Sequence, residues 1–185
     1  MKSMPPILRA LPYSDSRTVA LVRGAPIEVL AHQIIVWVGV ALPHERQPLA
    51  HAPRFPAILD TGFSGTFAIS PVQLERWAGL RWNTLPFDPT FLMKYFGVDV
   101  PHRRANLWLY PNQYGWRDCI DPIIPPRHLD LIGGIAVYGD GEQVGAAATA
   151  RLVAPRPPLL GLRALAHNRL HLAVDAANRQ VWLSS

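Results

Sequence analysis

The chain has 185 residues, 49% of them apolar and 17% charged, a balance that can bury a core and excludes a disordered polypeptide. Its 19 Pro and 13 Gly exclude an all-helical fold, because Pro breaks helix interiors and both residues punctuate a chain into short strands and turns. The net charge of +5 is scattered rather than gathered in runs, which argues against nucleic acid, and the longest strongly apolar stretch, residues 34–42, is too short to span a bilayer.

Residues 1–30 carry prolines and no clear period; they read as an arm or an early strand pair, without the apolar segment of a secretory signal. Residues 34–38 (IIVWV) are β-branched and aromatic and predict a strand covered on both faces. Residues 43–54 are a polar, proline-bounded loop. A second strand over 55–59 runs straight into Asp60-Thr61-Gly62-Phe63-Ser64-Gly65, and residues 66–69 return to strand. Ser70 suits a helix N-cap and Pro71 the first helical position, with Val72, Leu74, Trp77 and Leu80 supplying the apolar side.

Residues 81–131 are rich in Pro and aromatics, with one clear strand at 105–110 and loop-like stretches at 86–89 and 111–126. So long an irregular region inside a compact domain points to a functional loop or an insertion. Residues 132–138 read as a strand, Gly139-Asp140-Gly141 as an ordinary hairpin turn, and 149–153 as a further strand. A proline-rich connector leads to Leu159-Leu160-Gly161, a short helix over 162–167, and a closing hairpin of 170–174 with 180–183. The result is an all-β domain with two short helices.

Two segments share one pattern. Ala57-Ile58-Leu59-Asp60-Thr61-Gly62 and Leu159-Leu160-Gly161 each run from apolar residues into a glycine turn, with a helix soon after. This resembles the retropepsin-like aspartic proteases, the single-lobe family that includes the retroviral enzymes, in its bacterial type. That family carries Asp-Thr-Gly after apolar residues, then a small residue and a Ser or Thr; later come two apolar residues and Gly, a short helix and a final strand. The likeness spans about residues 33–183 and implies a small closed acid-protease-like barrel with a long central insertion. It divides the chain into an N-terminal arm (1–32) and a protease domain (33–185), with flap and insertion at 82–131. Phe63 departs from the retroviral pattern of a small residue, although bacterial relatives often carry an aromatic there; its bulk would crowd the site or line a substrate pocket.

Peptide hydrolysis needs an activated water and a polarised carbonyl. Two facing carboxylates that share a proton supply both, one as general base and one as general acid. Such a pair titrates as a unit, because close like charges cannot both ionise. The chain has one Asp-Thr-Gly, so the resemblance implies a twofold-symmetric homodimer in which each subunit contributes Asp60 as the catalytic residue. Thr61, Gly62, Ser64, Leu160 and Gly161 would support the active-site loop: Thr61 ties the two loops together, Gly62 admits close backbone approach, and Gly161 lets its strand pass. A flap over 91–104 would close on substrate, its tip at Tyr95, Phe96 and Gly97 and its returning strand in 100–110, with Phe63 a further substrate contact. Core packing of those aromatics is the competing reading.

The expectation is a cytoplasmic hydrolase, a homodimeric aspartyl protease that cuts an extended peptide or protein, with no cofactor, metal, nucleic acid or membrane. A catalytically silent dimerisation or peptide-binding module of the same fold is the alternative, and a plain Asp-Thr-Gly turn in an unrelated β-protein is the third reading. Cys119 stands alone, so it forms no intrachain disulfide and reads as a small hydrophobe in or near the core of a protein from a reducing compartment. Asp118 and Asp121 flank it, but with His128 they match no metal-ligand spacing and read as turn residues. His167 and His171 straddle a helix-to-strand boundary and read as surface residues.

Overall fold

A computed structural model describes residues 6–48, 52–95, 98–138 and 157–185. It is mostly β, with strands over 42% of the chain and few helices. The strands are β1 (Leu8–Pro12), β2 (Thr18–Val22), β3 (Ala25–Val29), β4 (Ile34–Ala41), β5 (Phe55–Asp60), β6 (Phe67–Ile69) and β7 (Phe87–Tyr95). They continue as β8 (Val98–Arg103), β9 (Asn106–Tyr110), β10 (Arg127–Leu129), β11 (Ile135–Val137), β12 (Leu159–Gly161), β13 (His171–Asp175) and β14 (Gln180–Ser184). The helices are α1 (Pro71–Gln73) and α2 (Leu162–His167). None of the described helices is long and apolar enough to cross a membrane.

The main sheet runs β10-β9-β4-β5-β12-β6-β11-β8-β7, with a second sheet β1-β14-β13 and the separate hairpin β2-β3. Where a closed barrel was expected, the described residues form an open sheet curled into a half-barrel, with β10 and β7 at its edges. The continuous apolar run of β4 and β5 follows from cover on both faces. Ile35 and Ile58 meet Ala20 and Val29 of the β2-β3 hairpin. Their neighbours Val36, Val38, Ala57 and Leu59 face the main core with Leu8, Leu11, Val181 and Leu183. Each valine, leucine and isoleucine among them stabilises the fold by about 1.5–3 kcal/mol on burial.

Residues 6–30 are built into this body. β1 pairs with β14 around a bulge at Ala10, and β2 turns into β3 through Arg23 and Gly24, both at positive φ, the geometry of a tight two-residue hairpin turn. Ser70 and Gln73 cap α1 reciprocally: the Gln73 N–H donates to Ser70 Oγ, and Oε1 of Gln73 accepts from the Ser70 N–H. The backbone then widens into a π-turn over Leu74–Ala78 that ends at Gly79, φ 73°. Leu74 is buried while Val72, expected on the inner side, is 53% exposed, because residues two positions apart stand about 200° apart around a helix. β11 lies between β6 and β8 instead of pairing in an ordinary hairpin; Gly139-Asp140-Gly141 and the strand expected at 149–153 lie outside the described residues. Cys119, expected in or near the core, is exposed.

Candidate active site

Asp60 ends β5. The chain does not pair β5 with β6, the next strand in sequence: β12 enters between them, parallel to β5 and antiparallel to β6. The loop from Asp60 to Thr66 therefore arches over the end of β12, where Gly161 lies opposite Asp60. This arch explains Gly161. A Cβ there would fall 2.2 Å from the Gly65 carbonyl oxygen and 2.6 Å from that of Phe63, so only glycine passes beneath. The Gly161 N–H donates to the Thr66 carbonyl at 2.9 Å and closes the arch from below. Leu160 beside it is fully buried.

Within the loop, the Gly62 N–H donates to Asp60 Oδ1 at 2.8 Å, and the Phe63 N–H donates to the Asp60 carbonyl at 3.2 Å. A Cβ on Gly62 would sit 3.3 Å from Asp60 Oδ1, a tight approach that glycine avoids. Asp60 is partly exposed, and Thr61, Gly62 and Ser64 are exposed. Among the described residues no cation is paired with the Asp60 carboxylate. A carboxylate pinned by one backbone N–H and open to solvent can take and give protons.

Phe63 turns the other way. It is 7% exposed and shares one buried cluster with Ala68 of β6, Val100 of β8 and Ala136 of β11. The structure thus places this expected substrate contact in the interior, between the Asp60 loop and β8. Tyr95 ends β7 opposite Val98, so β7 and β8 pair as an antiparallel hairpin in the segment expected to hold the flap. Phe96 and Gly97, the expected tip, lie outside the described residues.

The root of that hairpin is anchored. Arg103 lies over Trp82 at 4.8 Å and Phe87 at 5.0 Å from the ring centroids, and its Nη1 donates to the Leu85 carbonyl at 3.1 Å. Burial holds the Arg103 pKa below its ordinary value.

Sequence reading misses two supports of the site. Thr66 is 1% exposed, and its hydroxyl donates to the Gly134 carbonyl at 3.0 Å, which ties the arch to the turn before β11. Gly134, at φ 89°, passes so close to β8 that a Cβ would lie 2.1 Å from the Arg103 carbonyl oxygen. The paired glycines 133 and 134 are the one signal of this approach in the sequence; nothing local marks Thr66.

The remaining candidates have structural partners. Asp118 pairs with Arg117, Asp121 with Arg9, and His167 with Asp130. No family model matches the chain, and no curated protein or solved structure matches it either.

Proposed function

We propose that the chain is one half of a homodimeric, retropepsin-like aspartic endopeptidase. The observation that carries this reading is the Asp60 loop itself: a solvent-accessible carboxylate, oriented by the Gly62 N–H, on an arch that straddles Gly161. A turn of merely local purpose has no need for a distant strand threaded beneath it.

In the proposed dimer the two Asp60 carboxylates meet on a twofold axis and share one proton. The ionised carboxylate takes a proton from water as the water oxygen bonds to the scissile carbonyl carbon. The protonated one gives its proton to the carbonyl oxygen, which forms a neutral tetrahedral diol. Collapse of the diol breaks the C–N bond: a diol hydroxyl gives its proton to the ionised carboxylate, and the departing nitrogen receives the proton of the other. The exposed Thr61 is free to meet the partner's loop. The β7-β8 hairpin covers an extended peptide and excludes water. A single cysteine supports a reducing, cytoplasmic setting.

The test is cleavage of an unstructured protein such as casein between about pH 4 and 7, a range that brackets the upper value of a carboxylate dyad. Wild type and Asp60→Asn are run side by side, each with its solution mass. A dimer whose cleavage vanishes in Asp60→Asn supports the reading; a monomer inactive at every pH removes it.

A further inference from the structure

We propose that Phe63 is a positioning residue that couples the β7-β8 hairpin to the Asp60 loop, so that closure of the hairpin is felt at the carboxylate. The consequence for catalysis rests on the protease reading; the mechanical coupling does not.

Phe63 alone points inward among its neighbours: Thr61, Gly62 and Ser64 are exposed, whereas Phe63 is 7% exposed. Its N–H is bonded to the Asp60 carbonyl, so ring and carboxylate belong to one rigid turn. The room for the ring is made by two alanines, Ala68 and Ala136, which face each other in the β6-β11 pair. On one side the ring rests on Gly161, with Cδ1 2.9 Å from where a Cβ would stand. The same buried cluster takes in Val100, which lies opposite Met93 in the hairpin. Phe63 is thus a wedge that rests on the strand beneath the aspartate and belongs to the buried cluster that reaches the returning strand of the hairpin. Close-packed interiors transmit such displacements instead of absorbing them. When a peptide draws the hairpin down, the displacement passes from Val100 through this cluster to the ring, and the ring sets the turn that carries Asp60.

Hydrogen exchange on the full chain tests the coupling without reference to activity. Phe63→Ala is compared with wild type, with the conservative Phe63→Leu, and with Leu74→Ala, a cavity in the main core away from this cluster. Coupling predicts that Phe63→Ala raises exchange at least tenfold both at residues 61–66 and at 98–103, while the β13-β14 hairpin is unchanged. Phe63→Leu restores most of the protection, and Leu74→Ala does not reproduce the paired pattern. An increase confined to 61–66, or the same pattern from Leu74→Ala, overturns the coupling. Should Phe63→Ala fail to fold, Phe63→Leu carries the test: a smaller paired increase at both segments supports the coupling, and none overturns it. In the cleavage assay the coupling predicts a tenfold or larger fall in kcat for Phe63→Ala with KM changed less than threefold, rescued by Phe63→Leu. A wild type without Asp60-dependent cleavage overturns the protease reading while the exchange result still decides the coupling.

Discussion

Two loops of this molecule present an aspartate, and they use it in opposite ways. Asp121, in the loop after β9, is 9% exposed and neutralised. The Ile123 N–H donates to its Oδ1 at 2.8 Å and the Ile124 N–H at 3.3 Å, while Arg9 pairs with Oδ2. These contacts, the Ile123 N–H first, hold its carboxyl below the usual carboxylate range. Asn112 completes the clamp: its Oδ1 accepts from the Arg9 N–H at 2.7 Å, and its Nδ2 donates to the carbonyls of Arg9, Gln113 and Trp116. Asp60 has one backbone donor and no cation among the described residues. What is rigid at Asp60 is the backbone around the carboxylate: the arch over Gly161, the Thr66 bond and the Phe63 wedge. Asp121 is satisfied at its oxygens; Asp60 is held instead by the backbone around it, the arrangement that the proposed proton transfer requires.

The contrast can be broken at several points. Gly161→Ala should have the largest effect, a loss of about 3 kcal/mol in urea unfolding, because the new methyl meets backbone oxygens of the arch that have nowhere to move. Tolerance of alanine there would mean that the loop does not straddle β12. Asn112→Ala should cost about 2 kcal/mol, since it strands the Arg9 N–H and leaves the Arg9 carbonyl with the Gly115 N–H alone, yet it should leave cleavage per folded molecule unchanged. Loss of activity in proportion to stability would dissolve the division between the two loops.

Acid should then separate the carboxylates. The folded-state pKa of Asp121 is depressed, so its contribution to stability is complete above the ordinary carboxylate value of about 4 and is lost as pH falls through the lower folded value. Urea midpoints followed from about pH 5 to pH 2 should fall less steeply in Asp121→Asn than in wild type. The smallest effect is expected at Asp60 itself: Asp60→Asn keeps the acceptor for the Gly62 N–H and should change stability by less than about 0.5 kcal/mol. A larger loss would mark Asp60 as a scaffold residue like Asp121.

Much of this was legible in sequence because it is local. The unbroken apolar runs around Ile35 and Ile58 announce strands covered on both faces, and Ser70-Pro71 announces a helix start. Asp60-Thr61-Gly62 and Leu159-Leu160-Gly161 stand out as glycine turns after strands, but their junction depends on β12 inserting between strands about one hundred positions earlier, which no local pattern encodes. Arg9 and Asn112 are 103 positions apart, and neither residue type signals the other. Val72 misleads because it stands two positions from the buried Leu74, about 200° away around a helical turn of about 3.6 residues, so the two cannot share one face. Phe63 sits in a polar glycine turn, where an aromatic reads as exposed; its inward course is set by the small partners Ala68 and Ala136 on strands that meet only in the fold.

The central claim is that two copies of Asp60 make one site, and a mixing experiment addresses it most directly. Wild type and Asp60→Asn chains are exchanged at equal amounts, and cleavage is compared with the same total concentration of wild type. If activity needs an Asp60 from each subunit of a symmetric dimer, random pairing leaves about one quarter of it. A value of about one half would mean that each chain works alone and would contradict the shared dyad.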